Sequence, residues 1–402
     1  MVWYTGGGEN ALLSTWTAAM PVSTLPAVAH SRSPAETDET KGEETKAKPL
    51  TRAMLVFIFC TFKMTINGLF DLGGLCFIQS AGMSHVSKPL QQMSNANPSF
   101  GPRGTKRRIP RSFKELTPSN HFNPRTFFYE MVWKALLTRR TGQHKRPTYP
   151  RLAEGKVAIT WIGHASFLVQ FNDLNVLIDP NFANWLFLLK RVKRAGLKIR
   201  DLPPIDLVLL THAHFDHFHK PTLRKLPEPK IGVMPWGVGD LARGLGFGRI
   251  IELQTWESFS SAAWKVTLTP AKHWGARTLH DDHRGYGGFL LEHQGRRIYH
   301  AGDSAYFDGF KEIGQRCRPE IALLPIGAYY PDSFRQVHMG PDDAMRVFQD
   351  LGAEWFIPMH FGSFKLSFES IDEPPAWLQE IAKKEGKLHH VKILEEGVPT
   401  VF

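Results

Sequence analysis

The sequence predicts an α/β fold built from layers of β-strand and α-helix, and three observations support that class. From about Lys156 onward, short apolar runs alternate with turn residues and with stretches of helical periodicity. Repeated strands with interspersed helices are typical of layered α/β domains. The chain has 402 residues, of which 42% are apolar, so it is long enough to bury a sizeable core in one large domain.

Eight apolar runs are predicted to be strands and four stretches are predicted to be helices. The strands cover residues 157–163, 175–180, 206–212, 264–271, 287–293, 297–303, 320–327 and 354–360. The helices cover residues 238–246, 305–315, 341–350 and 375–385. Pro341-Asp342-Asp343 suits a first helical turn, because proline is tolerated there and acids favour a helix N-terminus. Residues 156–402 are therefore predicted to form the folded domain.

Residues 1–110 are predicted to be a disordered or poorly ordered N-terminal extension that includes an apolar segment at 54–82. Lys63 and Asp71 interrupt this segment, and a spanning helix needs about 20 apolar residues with few charges. An anchor and a signal-like segment both stay open as interpretations.

Two further expectations concern the N-terminal part of the chain. The translation start assigned here could be too early, in which case Met83 or Met93 would be the first residue. Residues 111–155 are expected to form a helical and loop region, which carries the apolar, helix-like patch 127–137.

Basic residues outnumber acidic ones, and the formal net charge is +11. Residues 84–150 carry much of the excess, with 13 lysines and arginines against two acids. Such a balance favours nucleic acid, a membrane surface or a phosphate-bearing substrate. No nucleic-acid-binding motif accompanies the charge, so a nucleic-acid partner is not expected. The three cysteines, Cys60, Cys76 and Cys317, show no CxxC spacing and cannot form a disulfide framework.

The strongest chemical signal is the run Thr211-His212-Ala213-His214-Phe215-Asp216-His217, which follows the apolar residues 207–210. Four ligand-capable side chains in six residues cannot all enter an apolar core, because each buried, unpaired polar group costs kilocalories. Imidazole nitrogen and carboxylate oxygen are ligands that suit Zn²⁺ and its neighbours. The run therefore predicts a metal site at the end of a strand.

Three more ligand-capable residues stand at the ends of predicted strands. His273 ends the run that begins at Trp264, Asp303 follows Gly302, and His360 ends the run 354–360. Each is a weak signal alone, but together with the first motif they predict one site assembled from strand ends.

These residues resemble the metallo-β-lactamase superfamily, in which HxHxDH is followed by a single His, an Asp after a strand and a late His. Longer blocks resemble its N-acyl-phosphatidylethanolamine-hydrolysing phospholipase D family. Those blocks are Pro203-Pro204-Ile205-Asp206, His273-Trp274 with Arg277-Thr278, Ala301-Gly302-Asp303, Pro325-Ile326-Gly327-Ala328-Tyr329, and His360-Phe361-Gly362-Ser363-Phe364 with Glu373-Pro374-Pro375. The resemblance covers about residues 120–395 and implies an αβ/βα sandwich of two packed β-sheets flanked by helices.

The resemblance also implies how the ligands divide between two metal ions. His212, His214 and His273 would bind one ion, Asp216, His217 and His360 would bind the second, and Asp303 would bridge them. Zn²⁺ is the default metal for this ligand set, although Fe or Mn would accept the same donors. Two ions about 3.5–4 Å apart lower the pKa of a shared water toward ~7.

Asp216 and His338 are the candidate catalytic residues. The family has a His before a helix at the place of His338, and such an imidazole could assist the leaving oxygen. The chain departs from the family pattern at Ala213, where a bulkier, amide-bearing residue is usual, and at His283, where an Asn is usual. Both departures bear on lipid specificity and leave the metal ligands intact.

Candidate substrate-binding residues fall into two groups. Trp274, Arg277 and Tyr329 lie in the family blocks, and Arg277 could either neutralise a phosphate or form a structural ion pair. Lys190, Arg191, Lys193 and Arg194 follow the apolar residues 185–189. Apolar residues beside a cationic run suit an interfacial segment, although a helix with one core face and one solvated face would read the same way.

The sequence predicts a dinuclear metal-dependent hydrolase, of phospholipase D type, that releases phosphatidic acid and an N-acylethanolamine from N-acyl-phosphatidylethanolamine or a related glycerophospholipid. The expected partners are a phospholipid substrate and a peripheral membrane surface, a homodimer is allowed, and the expected location is cytoplasmic or at the membrane periphery. The alternative is a soluble hydrolase of a small substrate, such as a phosphorylated sugar lactone. A nuclease or nucleic-acid binder is a third hypothesis, which a salt-dependent gel shift would test.

Overall fold

The strands of the protein pair into two large β-sheets and one short hairpin. The computed structural model describes residues 128–227, 230–278, 281 and 283–402. The expectations for residues 1–110 lie outside these ranges, as do the cysteines Cys60 and Cys76. Within the described residues, no helix combines the length and the apolar character needed to cross a bilayer.

The first sheet has seven strands in the order β15-β1-β2-β3-β6-β7-β8, and β4 and β5 form the hairpin. Their bounds are β1 Ala158–Gly163, β2 Ser166–Gln170, β3 Asn175–Ile178, β4 Trp185–Leu186, β5 Leu189–Lys190, β6 Leu207–Leu209, β7 Lys230–Pro235, β8 Phe247–Leu253 and β15 Pro399–Val401. β3, β6, β7 and β8 run parallel, whereas β15, β1, β2 and β3 pair in antiparallel fashion.

The second sheet has six strands in the order β14-β13-β12-β11-β10-β9. Their bounds are β9 Ser258–Ser260, β10 Trp264–Thr269, β11 Gly288–His293, β12 Arg296–His300, β13 Ile321–Pro325 and β14 Trp355–Met359. β12, β13 and β14 run parallel, so their C-terminal ends lie at one edge of the sheet.

Six α-helices and three 3-10 helices flank the sheets in the described residues. The α-helices are α1 Lys134–Leu137, α2 Lys220–Leu223, α3 Gly239–Ala242, α4 Gly309–Cys317, α5 Pro341–Leu351 and α6 Glu373–Lys384. A π-helix, Phe128–Trp133, leads directly into α1, and the 3-10 helices are Ile199–Asp201, Asp332–Gln336 and Leu388–His390. The helix α5 begins with Pro341 at N1 and ends at Gly352, which takes the left-handed conformation common after a helix.

The main core lies between the two sheets, because the strands of both sheets turn apolar residues toward each other. Ile159 and Val176 of the first sheet belong to the same buried cluster as Leu268 and Leu323 of the second. The outer face of the first sheet buries a separate cluster against α2 and α3, where Leu177 and Val208 meet Leu223 and Ala242. This arrangement confirms the predicted sandwich of two packed sheets flanked by helices.

Candidate metal centre

The ligand-rich loop follows β6, a strand whose three residues are fully buried between β3 and β7. The strand ends at Leu209, earlier than predicted, so all four candidate ligands of the run 211–217 lie on the loop that leaves the sheet edge. Arg277 holds this loop: its guanidinium donates to the carbonyl oxygens of Ala213 and Phe218 and lies 3.9 Å from the ring centroid of Phe215.

The remaining candidate ligands follow strands, as predicted, and those strands belong to the second sheet. His273 follows β10, Asp303 follows β12 and His360 follows β14. The centre therefore lies between the two sheets. Residues 212–214 and 216–217, on the loop after β6 of the first sheet, face side chains that follow strands of the second sheet.

One ligand cluster consists of His212, His214, His273 and Asp303. His212 Nε2 and His273 Nε2 lie 2.9 and 3.3 Å from His214 Nδ1, and each lies 3.9 Å from Asp303 Oδ2. Three ring nitrogens and one carboxylate oxygen thus converge on one point, which is the donor set of a four-coordinate metal.

A second cluster contains Asp216, His217 and His360, and it shares the oxygen of Asp303. Asp303 Oδ2 lies 3.2 Å from His217 Nε2 and 3.1 Å from His360 Nε2. Asp216 Oδ2 lies 3.6 and 3.5 Å from the same two nitrogens. Because bonds of ~2.0–2.1 Å place two ligands of a tetrahedral zinc ion roughly 3.3 Å apart, these spacings fit a shared ion.

Burial and charge set the protonation of the first cluster. Burial lowers the pKa of all three imidazoles, to about 4 at His214 and well below the usual value at His212 and His273. Neutral imidazoles are the form that binds a metal ion, so these side chains are ready to act as ligands at neutral pH.

In the second cluster, charged neighbours shift the pKa values more than burial does. Burial lowers the pKa of His360, but the carboxylates of Asp303 and Asp216 outweigh it and raise the pKa to about 9. Burial would raise the pKa of both carboxyl groups, yet the facing imidazoles hold it well below the usual value. Two buried carboxylates among imidazoles attract positive charge, and a divalent cation satisfies that demand.

Unpaired atoms provide a further test of the fit. In the part of the chain that the structure describes, His217 Nε2, His360 Nε2 and Asp303 Oδ1 are buried and make no hydrogen bond. Buried polar atoms normally find a partner, so several unpaired atoms in one place call for a missing one. The donor chemistry and the spacings both fit two divalent metal ions, whose identity the nitrogen and oxygen donors do not fix.

Asp179, which the sequence analysis did not single out, supports the ligand loop. Its carboxylate accepts hydrogen bonds from the Thr211 backbone N–H and hydroxyl and from His217 Nδ1, the last at 2.7 Å. A bond to Nδ1 leaves Nε2 of His217 free to face the centre. An Asp at the end of an apolar run and before Pro180 was the available signal.

His164 was also missed, and it lies against the second cluster. It follows β1 and its Nε2 is 2.9 Å from Asp216 Oδ2. The Gly163-His164 pair at the end of a buried strand was its signal, and that position matches the positions of His273 and His360 after their strands.

The candidate His338 lies on the loop between the 3-10 helix 332–336 and α5. Its ring stacks on His360 at 5.4 Å and meets the edge of His273 at 5.1 Å, and its Nδ1 is 3.9 Å from Asp303 Oδ2. His338 therefore faces the centre beside the shared carboxylate, and its catalytic role stays a prediction, as does that of Asp216.

The candidate substrate residues from the family blocks divide by location. Trp274 packs its ring 4.5 Å from His214 and 4.3 Å from His273, so it lines the centre. Tyr329 is buried and donates its hydroxyl to Glu373. Arg277 is buried and bonded to backbone carbonyls, which corrects its expected place: it is positioned to brace the metal loop, and no solvent-facing guanidinium is available for a phosphate.

The cationic run after β4 also requires correction at one residue, because Arg191 lies in the interior. Arg191 is 0% exposed and donates to the carbonyl oxygens of Ala183 and Asn181 and to the Ser363 hydroxyl. Its guanidinium cannot reach an anionic surface in this fold, so the expectation that Arg191 binds substrate was wrong.

The other three cations of the run bind neighbouring segments. Lys190 donates to the carbonyl oxygens of Leu136 and Thr138, and Arg194 donates to those of Arg140 and Gly142. Lys193 forms an ion pair with Glu396 at 2.5 Å. The bonds of Lys190 and Arg194 fasten residues 136–142 onto the domain.

Several known proteins are similar to this chain. A family model described as a beta-lactamase superfamily domain matches residues 174–361. A mitochondrial N-acyl-phosphatidylethanolamine-hydrolyzing phospholipase D of Saccharomyces cerevisiae is 31% identical over 245 residues, which are 56% of this chain and 52% of the relative. The chain thus spans about half the length of that protein.

Two further relatives are spanned more fully. N-acyl-phosphatidylethanolamine-hydrolyzing phospholipase D 1 of Caenorhabditis elegans is 30% identical over 251 residues, which are 57% of this chain and 70% of the relative. A UPF0173 metal-dependent hydrolase of Methanopyrus kandleri is 31% identical over 245 residues, which are 60% and 97% of the two chains.

Among solved structures, isothiocyanate hydrolase from Delia radicum gut bacteria superposes with a TM-score of 0.50 at 23% identity, and the match covers 61% of this chain and 98% of that one. At this identity the likeness concerns the fold alone. The fold, the paired ligand clusters and the family match all agree with the resemblance seen in the sequence.

Proposed function

The chain belongs to the metallo-β-lactamase superfamily and is a metal-dependent hydrolase, and on that premise we propose that it is a dinuclear phosphodiesterase of phospholipase D type. Its proposed substrate is N-acyl-phosphatidylethanolamine or a related glycerophospholipid, which it would cleave to phosphatidic acid and an N-acylethanolamine. The observation that carries the proposal is the position of Asp303 Oδ2, which faces ring nitrogens of both clusters at 3.1–3.9 Å. The names of the yeast and nematode relatives support the substrate class.

The side chains of the centre divide the work of such a reaction. When bound, two divalent cations supply Lewis acidity and a nucleophile at neutral pH. Asp303 and Asp216 provide the negative charge that holds the cations, and Asp179 keeps His217 in one tautomer and orientation. Trp274 excludes water from one side of the first cluster, where it covers His214 and His273.

His338 is positioned to hydrogen-bond the phosphoryl oxygen or the leaving oxygen. Burial lowers its pKa to about 4, so the imidazole is neutral at neutral pH. A neutral ring can donate from one nitrogen and accept at the other. It can therefore stabilise charge that develops on an oxygen beside Asp303 without repelling the metal ions.

Replacing His338 by alanine should lower kcat by about 10²-fold or more, because a positioned acid–base group contributes roughly 10²–10⁴-fold. The metal content should stay at the wild-type value, since His338 is outside both sets of assigned ligands. Steady-state kinetics and elemental analysis would test this. His389→Ala, an exposed His on the 3-10 helix 388–390, is the control. Wild-type kcat in H338A would remove His338 from the mechanism.

An exposed apolar surface supports a lipid substrate. We call it the aromatic surface, and it consists of Phe128, Tyr129, Trp133, Leu136, Leu137, Trp185 and Phe187. Lys190 joins the helical segment 128–137 to the β4–β5 hairpin, since it comes from β5 and bonds Leu136. Five of these side chains lie within residues 128–137 and two lie on the hairpin, and such a density of exposed apolar side chains suits an interfacial binding surface.

The aromatic surface continues to the proposed metal centre. Phe187 at the hairpin tip meets Phe215 edge-on at 4.5 Å, and Phe215 lies between the ligands His214 and Asp216. Arg140 lies 6.0 Å from the ring of Trp185, so a cation accompanies the aromatic rings. A phospholipid whose headgroup sat at the centre could therefore leave its acyl chains against this surface, which would lie on the membrane.

The substrate class can be tested with the full-length, metal-loaded protein. N-Acyl-phosphatidylethanolamine in mixed micelles should yield phosphatidic acid, and chelation should abolish the yield until metal is restored. A phosphorylated sugar lactone and a soluble phosphodiester, assayed without detergent, test the alternative. Turnover of those soluble substrates that exceeds lipid turnover by orders of magnitude would refute the phospholipase proposal in favour of the small-substrate hydrolase.

The aromatic surface gives a second, separable prediction. The double variant L137S/W185S should weaken binding to anionic phospholipid vesicles by about tenfold or more, because it removes two large apolar side chains from the interface. Turnover of a soluble phosphodiester should not change. Leu388→Ser is the matched control, because Leu388 is 45% exposed and lies outside this surface. Unchanged vesicle sedimentation in L137S/W185S would show that membranes bind elsewhere.

A further inference from the structure

We propose that His164 is a positioning residue that fixes the second ligand cluster through both its side chain and its backbone. The inference rests on the proposed dinuclear centre. It concerns a residue outside the seven assigned ligands, and it identifies what keeps two of those ligands, Asp216 and His360, in place relative to each other.

The side chain of His164 contacts the carboxylate of Asp216. Its Nε2 lies 2.9 Å from Asp216 Oδ2, which is a hydrogen-bond distance, whereas the ligand nitrogens of His217 and His360 lie 3.6 and 3.5 Å from the same oxygen. A carboxylate can only accept, so Nε2 carries the proton and His164 donates. His164 also lies within ligand reach of Asp216, His217 and His360, so the variants below separate the role of a hydrogen-bond donor from that of a direct ligand.

The backbone of His164 contacts the other ligand. Its carbonyl oxygen accepts a hydrogen bond from the backbone N–H of His360 at 3.1 Å and one from Trp161 Nε1 at 2.8 Å. The two imidazole rings lie 4.2 Å apart. One residue of the first sheet thus holds a ligand of its own sheet's loop and the backbone of a ligand from the second sheet.

The burial and the backbone conformation of His164 are energetically unfavourable. It is 1% exposed, its backbone lies in the left-handed region at φ 59°, and His360 takes the same region at φ 61°. Its Nδ1 has no hydrogen-bond partner among the described residues. Left-handed non-glycine residues and unpaired buried nitrogens persist where the surroundings hold them, and they concentrate at functional sites. A residue that only filled space would need neither.

The test compares metal affinity across variants at this position. Full-length wild type and His164→Leu, His164→Gln and His164→Asn would be titrated with Zn²⁺ in a competing chelator, and Co²⁺ absorption would report each site separately. Leucine removes the donor. Glutamine places an amide N–H near the position of Nε2, whereas asparagine, one carbon shorter, reaches only that of Nδ1. Asparagine also tolerates the left-handed backbone, so its failure would reflect reach.

We expect wild type to bind two equivalents. In H164L and H164N the metal affinity of the second cluster should fall about 10–100-fold, while that of the first cluster should not change. Removing a hydrogen-bond partner of a metal ligand has effects of that size. H164Q should come within about threefold of wild type. If H164L does not fold, the comparison of H164Q with H164N gives the same decision.

The matched control is His293, a buried His of β11 that also bonds an Asp, at 2.8 Å from Asp173, and lies outside the centre. H293L should lose stability and keep both metals. Second-site affinity within twofold of wild type in H164L would mean that His164 only packs. Equal losses in H164Q and H164L would make it a direct ligand, which also overturns the inference. A wild type that binds one equivalent would overturn the dinuclear proposal itself.

Discussion

The variant Asp303→Ala is expected to lose activity by at least about 10³-fold, which corresponds to roughly 4 kcal/mol of transition-state stabilisation. Asp303 Oδ2 faces the nitrogens of both clusters, at 3.1–3.2 Å for His360 and His217 and 3.9 Å for His212. Its removal leaves each proposed ion without one ligand and without the negative charge they share. We therefore expect loss of metal as well as activity.

Steady-state kinetics and elemental analysis of the same sample would measure both effects. Asp303→Asn separates charge from shape, because the amide keeps the size of the carboxyl group, and it should also lose at least one equivalent of metal. Asp308→Ala, whose side chain is 87% exposed and lies five residues later, is the control and should behave as wild type. A D303N protein with two bound metals and activity within tenfold of wild type would contradict the bridging assignment.

The variant Arg191→Met is expected to lower the free energy of unfolding by about 3–5 kcal/mol, because it removes a fully buried guanidinium and its hydrogen bonds. Methionine keeps the length of the side chain but leaves the buried carbonyl oxygens of Ala183 and Asn181 without donors. The packing of the guanidinium on Phe364, at 4.6 Å, is lost as well.

Urea unfolding followed by circular dichroism would measure this change. Arg200→Met is the matched control, because Arg200 belongs to the same stretch of the chain and its side chain is 67% exposed. Its effect should stay within about 0.5 kcal/mol, the usual range for surface substitutions. Equal unfolding midpoints for R191M and R200M would show that the buried guanidinium does not stabilise the fold.

Sequence patterns predicted the strands that deliver the ligands, because each of them ends in a run of buried residues built on apolar side chains. Other strands were missed. β8 contains Arg249 and Glu252 and is half exposed at the edge of its sheet, and β7 begins with Lys230, whose charge disguises a buried position. The runs could not identify β2, which follows β1 after only two residues.

The candidate site followed the same rule. His212, His214 and Asp216 stand close together in the sequence, so their density alone indicated a metal site. The places of His273, Asp303 and His360 after apolar runs indicated the distant members, and the resemblance supplied their division between two ions. The residues that brace the centre carry no such signal, because Asp179 and His164 are single polar residues whose partners are brought near only by folding. Charge at Arg191 and Arg277 indicated solvent or ligand contacts, whereas their partners are backbone carbonyls.

The ligands come from both sheets, and this affects how the protein unfolds. Each cluster takes side chains from the loop after β6 and from strands of the other sheet, so ions bound there would cross-link segments as distant as His212 and His360. Such a cross-link closes a very long loop and opposes any route in which one half opens first. Bound metal ions would then slow unfolding. Resistance to proteolysis, like turnover, would depend on those ions.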